Sequence, residues 1–370
     1  MTSSQRLPAS LTPLDAAVVA LLGDMEPVAP IELALTDALR CIAADMPPLQ
    51  SYPPRDIAMV DGYAFSARDL VGASSYSPLP LPAAPFWVEA GEAMPDGCDC
   101  VLDSDSVDFS GPISQVLAEA IPGQGVRRAG SDIAADSLVV EAGRRVLPRH
   151  LLTARAAGLQ RLNVRRPGVG IVNVPGGNVT AALIADSVRA AGAEAVTIAA
   201  AGRDAGAIAA ALDERACDLL LIVGGSGVGR TDAAIAALAA RGVVLAHGIA
   251  LQPGRTSAVG RIGKTPVVVL PGAPDHALAA WCTLALPAID RLSGRRPRKT
   301  VNLPLARKIA SQVGIAEIVL VERKQEMWSP LAVGDLSLQA IARAEAWLVI
   351  SGGSEGFAAG SPIDAYMLRE

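Results

Sequence analysis

Residues 218–223 read DLLLIV, and no polar side chain interrupts the run after its aspartate. A strand with one wet face alternates apolar and polar residues. A run without alternation needs cover on both faces, as in a parallel sheet packed between helices. The next nine residues, GGSGVGRTD at 224–232, hold four glycines and lead into a helical period at 231–241. Similar apolar runs at 169–174, 194–199 and 266–270 alternate with helical patterns at 178–191, 204–215 and 275–285. This texture predicts a doubly wound, mostly parallel α/β sheet over residues 165–296.

The rest of the chain has a different grain. At 370 residues it is too long for one core. Helical periods at 12–25, 31–45 and 149–160 predict a helical linker domain made of 10–47 and 141–164. Prolines in PPLQSYPPR break helix and force extended chain. The proline-rich stretch 74–86 reads as loop and edge strand. Short strands at 86–90, 100–102 and 116–119 predict a small β-rich inserted domain at 48–140. RRPG at 165–168 and GRRPRK at 294–299 read as linkers. Strands at 318–322, 346–350 and 363–368 predict a β-rich C-terminal domain at 297–370. On this division, a chain truncated near Gly294 keeps the parallel sheet cooperatively folded.

Composition excludes several classes. The formal charge is −5, with no long basic run, which argues against nucleic acid as the main partner. Residues 1–10 lack a basic stretch followed by an apolar one, and the longest nearly apolar stretch, 278–289, is short of a membrane span. The expectation is a soluble, cytoplasmic protein with no membrane partner. Five scattered cysteines read as small buried hydrophobes rather than a disulfide framework, and three dispersed histidines give no zinc spacing.

Three loops carry the chemistry. The 224–232 loop joins a strand to a helix, where glycines admit a ligand to the backbone and a helix N-terminus favours an oxyanion. The bland alternative is a tight turn capped by Thr231 or Asp232. LPGAP at 270–274 is a second strand-to-helix loop, with Asp275 in the first helical turn. VDGYA at 60–64 is a turn signal, and Asp132 in AGSDI poses the same question of structure or function. A dinucleotide fingerprint cannot be registered on 224–229. A Walker A ending at Gly263-Lys264-Thr265 fails because Ala258 stands where its first glycine belongs.

Taken in order, DGYA (61–64), AGEAMPDGCDCVL (90–102), RRAGSDI (127–133), GGSGVGRTD (224–232), QPGR (252–255) and LPGAP (270–274) resemble the molybdopterin molybdenumtransferases, called MoeA in bacteria and gephyrin E domain in animals. The resemblance covers about residues 10–295 and extends more loosely through SEGFAAGSPIDAYML. It implies a four-domain protomer that forms a homodimer. It implies adenylylated molybdopterin as substrate, molybdate as the metal source, Mg2+ as the ion, and release of AMP. By resemblance, Gly224, Gly225, Ser226, Gly227, Gly229, Pro253, Gly254, Pro271 and Gly272 bind the pterin ligand. Asp61, Asp132, Asp232 and Arg255 take catalytic places, with Asp61 and Asp232 on the metal. A molybdoenzyme or an adenylyltransferase is the implied protein partner.

The departures fall on polar groups. The family's TGDE reads Pro175-Gly176-Gly177-Asn178, so its glutamate is missing. KPGK reads Gln252-Pro253-Gly254-Arg255, LPGNP has Ala273 for asparagine, TGAP reads Ala90-Gly91-Glu92-Ala93, and the last domain's GSG reads Gly334-Asp335-Leu336. Asparagine is neither a base nor a full metal ligand, whereas arginine stays charged and forks onto oxyanions. Two functions follow: a divergent molybdenum insertase, or a protein that binds and delivers molybdopterin or the finished cofactor.

Overall fold

The computed structural model describes residues 5–214 and 216–368. The first four residues of the stretch read for a leader, and the last residue of the helix expected at 204–215, lie outside them. The chain forms two compact units, one of 46–141 and 147–161, the other of the remaining residues. No helix among the described residues is long and apolar enough to cross a membrane.

The larger unit is built on a six-stranded sheet. Its strands are β1 (Gly168–Asn173), β2 (Glu194–Ala199), β3 (Leu219–Val223), β4 (Val243–His247), β5 (Ala258–Ile262) and β6 (Thr265–Leu270). The order is β2-β1-β3-β6-β5-β4. The first four of these run parallel, while β5 runs antiparallel to β6 and β4 antiparallel to β5. Helices α1 (Asn178–Ala190), α2 (Ala205–Leu212) and α3 (Ala234–Arg241) connect β1 to β2, β2 to β3 and β3 to β4. Leu219, Leu221 and Val223 join one core with Ile184 of α1, while Leu220 and Ile222 join another with Ile208 of α2 and Leu238 of α3. Both faces of β3 are therefore covered, which is why its sequence does not alternate. Because β1 is followed by β2 on one side and β3 on the other, the sheet reverses its strand order beside β1 and opens a crevice there.

After β6 the chain runs through α4 (Pro274–Ala280), a π-helical turn at Trp281–Ala285, and α5 (Leu286–Ser293). Pro287 has no N–H to donate, so the ladder slips where it enters. The Cys282 thiol is buried in this segment, and burial pushes its pKa up to about 12. That suits a packing role, as the sequence suggests for the cysteines.

Two sequence expectations change here. Residues 31–45 are not a helix. They form a strand at Ile31–Ala34, a single turn at Leu35–Ala38 and a strand at Ile42–Ala43, and both strands flank Arg161–Arg165. Arg40 sits at φ 73, which ends any helix, and the supposed linker at 165 is the end of a paired strand. The second change is at the 296/297 boundary. Strands β7 (Thr300–Pro304), β8 (Ala316–Lys324), β9 (Met327–Val333), β10 (Ala346–Ile350) and β11 (Pro362–Met367) do form a β-rich layer. Yet β8 also pairs with Ile249–Gln252, which in turn pairs with Thr12–Pro13. Ile318, Leu320 and Trp347 lie in the same core as Leu221 and Leu270.

The smaller unit is β-rich. Gly62–Phe65 pairs with Phe86–Val88 and Cys100–Leu102, and Ser74–Pro80 pairs with Gln115–Ala118 as an edge strand. Gly62 has a structural reason: a Cβ there would lie 2.2 Å from the Leu102 carbonyl oxygen.

The shared core sets an expectation for truncation that departs from the sequence division. A chain ending at Gly294 loses Ile318, Leu320 and Trp347 from the core they share with Leu221 and Leu270, and burying each such side chain is worth about 1.5–3 kcal/mol. Thermal unfolding followed by circular dichroism should show that the truncated chain loses its cooperative transition or melts far below the full chain. An unchanged transition would establish two independent cores.

Candidate functional site

The loops at the C-terminal ends of β1, β3 and β6 converge in the larger unit. Gly224 and Gly225 both have left-handed backbones, at φ +93° and +70°, which L side chains rarely adopt. They turn the chain sharply out of β3. Gly224 donates its N–H to Leu270 at the end of β6, and a Cβ built on Gly272 would stand 3.5 Å from the Gly224 Cα. Thr180 of α1 donates to the Gly272 carbonyl at 2.6 Å. The sequence-derived ligand residues Gly224, Gly225, Pro271 and Gly272 are thus brought together.

The QPGR segment joins from the other side. Ser226 is buried, its hydroxyl lies 3.2 Å from that of Thr256, and its carbonyl lies 3.4 Å from His247 Nε2. Pro253 and Gly254 are buried, and the Gly254 carbonyl accepts from Ser257 Oγ at 2.6 Å. Arg255 is exposed, and its guanidinium has no ion-pair or hydrogen-bond partner among the described residues. It is available to an oxyanion.

Asp232 is differently placed from the sequence expectation. Helix α3 begins at Ala234, and its N-cap, Ala233, makes no side-chain cap bond, so neither Thr231 nor Asp232 caps it. Instead Asp232 Oδ2 accepts from the Gly229 N–H at 3.0 Å, and Oδ1 accepts from Arg203 NH2 at 3.0 Å. A Cβ on Gly227 would meet Asp232 Oδ2 at 2.6 Å, so that glycine is needed by the carboxylate. Arg203 also donates through Nε to Thr231 Oγ1 and through NH1 to the Pro175 carbonyl. Leaving the turn after β2, it ties the loop after β1 to the loop after β3.

The helix N-terminus is also occupied. The Ala234 N–H bonds the Gly225 carbonyl, and the Ile235 N–H bonds Gln5 Oε1 at 3.2 Å. Gln5 Nε2 donates to the Gly227 carbonyl at 2.7 Å. The N-terminal segment therefore fastens the glycine loop. Gln5 and Arg203 are site residues that sequence reading missed, because neither lies in a glycine motif or within reach along the chain. Asn178, where the family has glutamate, accepts from Asn173 Nδ2 at 2.8 Å, and Asn173 Oδ1 is buried without a partner.

Asp61 and Asp132 lie in the smaller unit, each serving its own loop. Asp61 Oδ1 accepts the Ala90 N–H at 2.7 Å. Asp132 pairs with Arg127 at 2.9 Å and accepts from Ser131. Among the described residues no group of three or more His, Cys, Asp or Glu is placed to hold a metal ion. At Asp232, the Mg2+ implied by the resemblance would stand against a guanidinium already bonded to Oδ1.

His247 links this site to pH. Burial pushes its pKa below the ordinary 6.5, against a smaller opposing pull from the Ser226 carbonyl. The folded chain then binds fewer protons than the unfolded chain between the depressed value and 6.5. Stability from this group is complete above 6.5 and is lost as pH falls through that window. Melting temperatures across acid pH should fall more steeply for the native chain than for His247→Gln. Parallel curves would remove the effect.

Comparison with known proteins follows the same lines. The profile described as "MoeA N-terminal region (domain I and II)" matches residues 12–158, and that described as "Probable molybdopterin binding domain" matches 169–291. A protein of Methanocaldococcus jannaschii assigned by name to molybdopterin biosynthesis is 26% identical over 75% of each chain. Molybdopterin molybdenumtransferase 2 of Mycobacterium tuberculosis is 30% identical over 56% of this chain and 57% of its own, so this match spans little more than half of that relative. The crystal structure of a molybdopterin biosynthesis MoeA protein from Pyrococcus horikoshii superposes with TM-score 0.72 at 23% identity, over 97% of this chain and 99% of that one. A molybdenum cofactor biosynthesis protein from Pyrococcus furiosus gives TM-score 0.60 at 19% identity over 96% and 99%. These two likenesses speak to the multidomain α/β fold. The two profile matches and the ordered motifs place this chain in the MoeA-like family of molybdenum cofactor biosynthesis proteins.

Proposed function

We propose that the crevice at the ends of β1, β3 and β6 binds adenylylated molybdopterin, and that the chain transfers molybdate-derived molybdenum to it with release of AMP. The observation that carries this reading is the meeting of two glycine loops, with Gly224 and Gly272 in van der Waals range one strand from the strand-order reversal. Such a place takes ligands in open α/β sheets. Arg255 supplies a free cation for the phosphate or molybdate oxyanions. When the adenylate bond breaks, charge builds on the departing phosphate, and a fixed cation favours that state.

A second reading is a binding or delivery protein for molybdopterin or finished cofactor. It is favoured by Asn178 in place of a carboxylate, by Gln252 in place of a lysine, and by the engaged oxygens of Asp232. Losing one preorganised electrostatic group costs about 2.7–4 kcal/mol, on the order of 10²–10³ in rate. The insertase reading therefore expects slow, molybdate-dependent AMP release. Tight pterin binding with no AMP at any molybdate concentration would establish the binding protein instead. Gly225→Val should lose pterin binding in either case, because a β-branched residue is strained at φ +70°. Retained affinity in a folded variant would move the ligand elsewhere.

The same reading gives a cytoplasmic homodimer that works with a molybdoenzyme or an adenylyltransferase. Light scattering should return twice the mass of one chain. A single-chain mass across the micromolar range would remove the dimer.

A further inference from the structure

Asp232, the carboxylate of the glycine loop, already has a cation. We propose that Arg203 is the resident cation of this site and that the chain binds its pterin ligand without a divalent ion. The inference rests on the reading that molybdopterin occupies the crevice, and it replaces the Mg2+ that the resemblance implies.

The geometry is that of a built-in clamp. Arg203 makes three bonds, to Thr231 Oγ1 at 3.2 Å, to the Pro175 carbonyl at 2.5 Å and to Asp232 Oδ1 at 3.0 Å. The other Asp232 oxygen is held by the Gly229 N–H. The Asp232 side chain is only 16% exposed, so it has little room to exchange partners through water. An Mg2+ ion requires an available carboxylate oxygen and near-octahedral geometry. At Asp232 it would have to displace the guanidinium or stand beside a like charge. The second acidic position of the family pattern is Asn178, which is neutral and bonded to Asn173.

Arg203 remains able to meet the ligand. A guanidinium has five N–H donors in a planar fork, and these three bonds leave two of them. Its side chain is 39% exposed. The cation is part of the chain, so the clamp is built in where a bound ion is exchangeable. Arg203 is thus a positioning residue for both strand-end loops and a donor to the ligand's oxyanions.

Two measurements test this. The first is calorimetric titration of the native protein with molybdopterin in Mg2+ and in EDTA. The expected affinities agree within about twofold, whereas Arg203→Gln, with Asp232 set free, should gain affinity by about tenfold when Mg2+ is added. A native affinity that collapses in EDTA would overturn the proposal. The second needs no pterin: Mn2+ binding followed by water-proton relaxation. The native chain should retain no Mn2+ at this site, and Arg203→Gln should acquire Mn2+ binding that Asp232→Asn removes in the double variant. Native Mn2+ binding abolished by Asp232→Asn alone would refute the resident-cation role. If no form binds molybdopterin under any condition, the proposed function fails, and the Mn2+ arm still decides the role of Arg203.

Discussion

Strand β3 has no exposed face, and much of the larger unit follows from that. Every one of its five residues is buried, and they feed two separate cores. A strand in that position cannot present a polar side chain along its length without leaving it unsatisfied. Polar chemistry is displaced to the strand ends, where backbone groups also run out of ladder partners. The loop after β3 must turn at once, and it does so through two consecutive left-handed glycines. Those glycines bring the backbone close to the β6 loop and leave a concave surface of peptide groups rather than side chains.

A surface made of peptide groups is soft unless something fastens it. Here three side chains do so from elsewhere in the sequence. Gln5 bonds the Gly227 carbonyl and the Ile235 N–H, Arg203 bonds the loops after β1 and β3, and Thr180 bonds Gly272. Each is charge-assisted or partly buried, where hydrogen bonds count for more than in water. The site is therefore a property of the whole unit rather than of its glycine motifs.

That distribution explains what the sequence disclosed and what it hid. The central strands were legible because non-alternating apolar runs have few other uses, and the loop glycines because they sit between such a run and a helical period. The strands β4 and β5 were not, since VVLAHGIA and AVGRIG carry no clean alternation. The 31–45 stretch read as helix because its apolar spacing suits either period, and only the left-handed Arg40 decides against it. Gln5 and Arg203 were hidden for a different reason. Their partners lie 222 and 29 residues away, and nothing local distinguishes them from solvated polar side chains.

The balance of charge around the crevice follows from these fasteners. Asp232 and Arg203 cancel one another, and the position that carries glutamate in the family is the neutral Asn178. What remains uncompensated is Arg255 with Arg230, which stands exposed in the glycine loop itself. The chain carries a net charge of −5, yet these two exposed arginines stand in the loops of this site. A site that keeps carboxylates free needs a divalent ion before it can accept a phosphate, because the carboxylates repel it. Pairing the glycine-loop carboxylate internally, as at Asp232, lessens that repulsion. Losing a glutamate and a lysine together is then a coherent change, since it removes one charge of each sign.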